Sequence, residues 1–206
     1  MFYCLSGGVP MKNIAHFLFE LGMLKRTPRT GFQFLGSGAE SVAEHIFRAG
    51  LIGYTLARLD GVADAGKVLL LCLFHDLPEA RTGDLNYVNK KYVRVDEDKA
   101  VEDLARTLPF GDDYRALHAE FTGKGTREAL LAHDADQLEM ILALKEHKDL
   151  GNRYADEWYP FNVQRLHTDV AKQLAETIWA TDSSRWWFDG DSEWWVTGET
   201  PNLPKA

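Results

Sequence analysis

An all-α fold, a compact bundle of many helices, is what this sequence predicts. Apolar residues recur at helical spacing along most of the chain, and alternation with a period of two is almost absent. Helix-capping residues stand where the periodic runs begin, and Gly or Pro stands where they end. With 206 residues, 45% of them hydrophobic and 26% charged, the chain is long enough for one domain with a real core.

The first amphipathic helix carries Ile14, Phe17, Leu18, Leu21 and Leu24 on one face. Pro28, Gly31, Gly36 and Gly38 then predict an extended connection. Ser41-Val42-Ala43-Glu44 is a capping-box pattern, opening a helix expected to run to about Leu59 and stop at Asp60-Gly61. Asp64 is a plausible N-cap for the next helix, which carries a Leu-rich run to His75. A short turn follows Pro78, and residues 84–95 are polar without a clear period.

Asp96 to about Leu108 reads as a charged, solvated helix, broken by Pro109-Phe110-Gly111. Asp112 to Phe121 is a short helix. A long helix is expected from about Thr126 to Leu150, stopped by Gly151-Asn152. The last is expected from about Asn162 to Ala180. The Trp pairs of the tail read as a small hairpin or an irregular arm. The expected organisation is an extension over 1–10, a helical body over 11–181 and a Trp-rich tail over 182–206. Met11 stands as an alternative start, in which case residues 1–10 carry no function.

The formal net charge is −8 and no Lys/Arg run stands out, which argues against duplex nucleic acid as a partner. A small phosphorylated ligand held by one or two local cations remains compatible. No segment approaches the ~18–20 apolar residues of a membrane span, and no signal peptide is evident. Two cysteines, Cys4 and Cys72, make no disulfide framework, so a cytoplasmic setting is expected.

The densest chemistry lies in His75-Asp76-Leu77-Pro78-Glu79-Ala80-Arg81-Thr82-Gly83-Asp84, directly after the apolar run Val68 to Phe74. An adjacent His-Asp pair at the end of a buried helix is costly to desolvate, and a divalent metal ion would offset the charge. His45 lies one turn into its own helix beside Ile46 and Ala49. Asp134 and Asp136 both interrupt the long helix, and periodicity does not choose between them. A His, a His-Asp pair and one late Asp would supply four ligands from three helices, a mixed set suited to Mn, Fe, Co, Ni or Zn.

Taken singly, each residue has an ordinary structural explanation. A lone His in a helix is most often a hydrogen-bonded core or surface residue. Glu44 fits its capping box, Glu79 and Asp84 pass as loop carboxylates, and Asp134 and Asp136 as solvated or capping residues. Their joint occurrence is what points to chemistry.

In this order the motifs resemble the HD-domain metal-dependent phosphohydrolases, and more closely their YfbR-like 5'-deoxynucleotidase branch. The resemblance covers roughly residues 11–150. It rests on Leu24-Lys25-Arg26-Thr27-Pro28-Arg29-Thr30-Gly31, Ser41-Val42-Ala43-Glu44-His45, the His75–Asp84 segment with Leu85, and Ala135-Asp136-Gln137-Leu138-Glu139-Met140. It implies one divalent metal ion (Mn, Co, Fe, Ni, Zn or Mg) held by His45, His75, Asp76 and Asp136. It implies that Glu79 orients or deprotonates the attacking water and that Asp84 works near the phosphate or leaving oxygen. It also matches Arg26 to a phosphate-contacting Arg. Thr27 stands where some bacterial members have Trp, which bears on selection against a ribose 2'-hydroxyl.

The activity implied is removal of the 5'-phosphate from (deoxy)nucleoside monophosphates, with a homodimer as the implied assembly. The alternatives are an HD-superfamily hydrolase acting on a triphosphate, cyclic or modified nucleotide, and a non-catalytic, metal-stabilised nucleotide-binding protein.

Overall fold

The computed structural model describes residues 11–188 and 194–198; the expected 1–10 extension, with Cys4, and part of the 182–206 tail lie outside the described residues. The elements in chain order are α1 (Met11–Leu21), α2 (Phe32–Leu35), α3 (Val42–Asp60), α4 (Ala65–Phe74), α5 (Glu79–Thr82), α6 (Glu97–Ala105), α7 (Gly111–Gly123), α8 (Arg127–Asp149), α9 (Tyr154–Val163), α10 (Asp169–Ala180) and α11 (Trp194–Thr197). Among the described residues the only pairing of β type is an isolated bridge between Pro28 and Ser41. Among the described residues no helix is long and apolar enough to cross a membrane.

The helix starts follow local capping chemistry. Ser41 caps α3 by accepting from the Glu44 backbone N–H, and Glu44 reaches back to the Ser41 N–H at 2.6 Å. Asp64, Asp96 and Thr126 cap α4, α6 and α8 in the same manner. Gly61, with φ +76°, ends α3 in the left-handed conformation that costs glycine least.

Two features depart from the sequence expectation. The connection after Pro28 is not extended throughout but contains α2, anchored by buried Phe32 and Leu35. The helix expected over Asn162 to Ala180 is two helices, broken between Val163 and Asp169. The break follows from buried Asp134, whose carboxylate accepts from the backbone N–H groups of His167 and Thr168 at 2.7 and 2.8 Å. Thr168 in turn caps α10. In the described part of the tail, as expected, the Trp residues cluster: the Trp187 and Trp195 ring centroids are 5.7 Å apart, with α11 the one short helix described there.

The main core lies where α3, α4, α8 and α10 meet, around Leu56, Val68, Leu71, Leu131, Leu138, Ile141 and Ala171. Each large aliphatic side chain buried there contributes on the order of 1.5–3 kcal/mol. A second cluster around Phe17, Leu24, Val42, Leu104 and Tyr114 seats α1, α6 and α7 against this frame. Helices α3 and α4 cross closely at Gly53, where an added Cβ would lie 2.5 Å from Cys72 Sγ and 3.1 Å from Val68 Cγ1.

Gly53→Ala is therefore expected to destabilise the protein by about 1–2 kcal/mol, since overpacking outweighs the helix propensity gained. In a Cys72→Ala background the same change should cost less, since the 2.5 Å clash is relieved and only the 3.1 Å contact with Val68 Cγ1 stays tight. Urea denaturation of the four proteins measures both.

Candidate active site

Three helices deliver side chains to one point. His45 enters from the first turn of α3, His75 and Asp76 follow the end of α4, and Asp136 comes from the middle of α8. His45 Nε2 lies 3.2 Å from Asp136 Oδ1 and 3.5 Å from Asp76 Oδ2. His75 Nε2 lies 3.2 Å from Asp76 Oδ2 and 4.0 Å from Asp136 Oδ1.

The two imidazoles are fixed from behind. His45 Nδ1 pairs with Glu139 Oε2 at 2.7 Å, and His75 Nδ1 donates to the Cys72 carbonyl at 2.7 Å. With the Nδ1 sides engaged, each Nε2 faces the carboxylates, and neither Nε2 has a hydrogen-bond partner although both are buried. A buried imidazole nitrogen without a partner is costly unless its lone pair serves as a ligand. Ligand atoms of His45, His75 and Asp76 all lie within 4.8 Å of one another, close enough to share a metal ion, and Asp136 Oδ1 stands beside them at 3.2 Å from His45 Nε2. The residues present thus fit a divalent metal.

The electrostatics agree. Burial alone would lower the pKa of His45, but the facing carboxylates of Asp136 and Glu139 override it and push the group up to about 10. Burial raises the proton affinity of Asp136, yet the facing His45, His75 and Arg29 win and hold it well below the usual carboxylate range. So much opposed charge at one buried point marks a functional cluster.

Glu79, at the start of α5, is pushed up to about 9, first by burial and then by the negative charge of Asp76 and Asp84. Its Oε2 is buried without a partner. Asp84 Oδ2 accepts from the Thr30 backbone N–H at 2.6 Å and the Thr30 hydroxyl at 3.2 Å. These residues open onto one cleft, whose wall includes Arg29, Asp76, Glu79, Asp84, Lys90 and Asp136.

Arg26 and Thr27 do not join them. A turn in which the Arg26 N–H donates to the Met23 carbonyl leaves the Arg26 side chain on the exposed surface. Thr27 is buried, its hydroxyl donating to the Met23 carbonyl at 3.1 Å. Arg29 occupies the cleft instead. Its backbone N–H donates to the Glu40 carbonyl, beside the Pro28–Ser41 bridge, and its Nη1 lies 3.6 Å from Asp76 Oδ2. Its Nε is buried without a hydrogen-bond partner. Burial opposes its charge, but Asp136 and Asp76 more than offset that and hold it as a cation.

Asp134, the other acid considered from the sequence, points to α10 and not to the cleft. Sequence reasoning also passed over Glu139, which is fully buried and held by Arg48 Nη2 at 2.5 Å as well as by His45. The signal was its position three residues after Asp136, on the same face of α8.

A buried His, a His-Asp pair and a distant Asp, closing on one point inside a helical bundle, define the class of HD-domain proteins. The family model described as HD domain matches residues 21–179, and the chain belongs to that family. The chain is 30% identical over 174 residues to "5'-deoxynucleotidase HDDC2" of Bos taurus, covering 80% of this chain and 84% of that one. To the Xenopus laevis protein of the same name it is 30% identical over 189 residues, covering 88% and 92%. Among solved structures, a conserved hypothetical protein from Pyrococcus furiosus matches with a TM-score of 0.68 at 29% identity, covering 81% of this chain and 99% of that one.

Proposed function

We propose that this protein is a metal-dependent phosphomonoesterase that releases the 5'-phosphate of nucleoside monophosphates, the deoxy forms foremost. The observation that carries this reading is a cleft that brings together the acids of a cation-binding cluster, a partly buried carboxyl of high proton affinity and a partly buried arginine. The name 5'-deoxynucleotidase borne by its relatives supports it.

His45, His75, Asp76 and Asp136 would hold one divalent ion. When bound, the ion supplies positive charge to the phosphate and makes a water more acidic. Arg29 grips the phosphate, since a guanidinium offers paired N–H donors to its oxygens. Glu79 accepts the proton of the attacking water once the cluster's negative charge is offset. The water oxygen forms the new bond to phosphorus as the bond to the 5'-oxygen breaks. Asp84, which lines the same cleft and is steadied by Thr30, enters the step in its protonated form and gives that proton to the departing oxygen as Glu79 takes one from the water. The products are inorganic phosphate and a nucleoside.

Purified protein with Mn²⁺ or Co²⁺ should release phosphate from a panel of deoxynucleoside and nucleoside monophosphates. Failure on every monophosphate, with metal shown to be bound, would overturn the reading. Glu79→Gln should keep its fold and metal yet lose about 10²–10⁴ in kcat.

Arg29→Met should raise KM and cut kcat/KM by tenfold or more, whereas Arg26→Ala should stay within about twofold of the parent. The reverse order would return the phosphate contact to Arg26.

The assembly we infer is a homodimer. The support is the outward stripe of α3, where Phe47, Leu51 and Tyr54 lie exposed at helical spacing. Light scattering should give twice the 23.3 kDa chain mass, and Leu51→Glu should reduce it to one chain mass.

A further inference from the structure

The charged cleft does not end at its charged residues. Gly31, Tyr87, Met140, Asn162 and Arg165 also line a second, apolar recess that adjoins it. The recess is walled by Phe34, Tyr87, Val88, Met140, Trp158 and Phe161. Its rings come from three separate parts of the chain: α2, the loop over 84–95, and α9.

Two of these rings are unusual for their exposure. Phe34 is 43% and Phe161 62% exposed, although each sits beside apolar neighbours. The wall is also braced. The Arg165 guanidinium lies 5.1 Å from the Tyr87 ring and donates to the Tyr87 hydroxyl, so the loop is tied to the end of α9. The Asn162 side chain is buried at the junction of cleft and recess, where its Nδ2 donates to the Trp158 carbonyl at 3.0 Å. That leaves Asn162 Oδ1 as an acceptor.

We propose that this recess is the nucleobase site of the enzyme, with the base lying against the rings of Phe34 and Phe161 while the phosphate faces Arg29. The inference rests on the phosphomonoesterase reading and names the part of the substrate that reading leaves unplaced. The argument is one of matched halves. A nucleotide is anionic at one end and flat and aromatic at the other. Of the two adjoining cavities, which share five lining residues, one carries charged groups of both signs, Arg29 among them, and the other is lined by rings. Rings recognise the π-face that every base has, so this wall favours bases over no base and discriminates weakly among them. Asn162 Oδ1 adds one acceptor, which an N–H on any of the common bases can meet.

The test uses the full chain loaded with Mn²⁺ and two unreactive halves of the ligand. Calorimetry measures the Kd of 2'-deoxyadenosine and of inorganic phosphate, for the parent and for the Phe34→Ser/Phe161→Ser double variant. Both side chains are exposed, so the variant should fold, and circular dichroism checks that it does. The expected result is a roughly tenfold or greater loss of nucleoside affinity with phosphate affinity unchanged. Loss of both affinities together, no loss of either, or no nucleoside binding by the parent would each overturn the proposal. A parent that binds the nucleoside but releases phosphate from no monophosphate would instead overturn the catalytic reading and leave the base site standing.

Discussion

The hydrogen bond between His45 Nδ1 and the buried Glu139 carboxylate is the contact on which the site depends. It joins the first turn of α3 to the middle of α8 across 94 positions of sequence. Glu139 could not remain charged in the core unaided, and Arg48, one turn after His45 on α3, supplies the second partner. The two helices are thus held together by a buried ionic knot as well as by apolar packing. Its geometric product is the direction of His45 Nε2. With Nδ1 committed, the other nitrogen has one way to face, and that way leads to Asp76 and Asp136.

Much of this was legible in the sequence because it is local. Capping at Ser41, Asp64 and Thr126 depends on a few consecutive residues, so the starts of α3, α4 and α8 could be read directly. The order His45, His75-Asp76, Asp136 was legible as a pattern of residue types. The choice between Arg26 and Arg29 was not, because they lie three residues apart in a segment without period. Which one turns inward depends on a turn at Met23 and a bridge to Ser41, both tertiary facts. Helix α9 escaped for another reason: Pro160 falls inside it and masks its period. The same omission hid Trp158 and Phe161.

The chain is acidic overall, and its cleft carries charged groups of both signs. A net charge of −8 repels a phosphate at long range, and four carboxylates stand in the cleft wall. Arg29, Lys90 and Arg165 line the same cavity and counter this locally. Screening over about 8–10 Å at ordinary ionic strength lets these near charges decide what enters.

Asp134 and Asp136 sit two places apart on α8, roughly 200° around the helix axis. One carboxylate is locked to the backbone at the start of α10, and the other looks into the cleft. Together they make α8 a keyed shaft. Any twist that would swing Asp136 away from the imidazoles must first tear Asp134 from the His167 and Thr168 amides. The rotational setting of a catalytic helix is thereby indexed on the side of the molecule away from the chemistry, where neither substrate nor metal can disturb it.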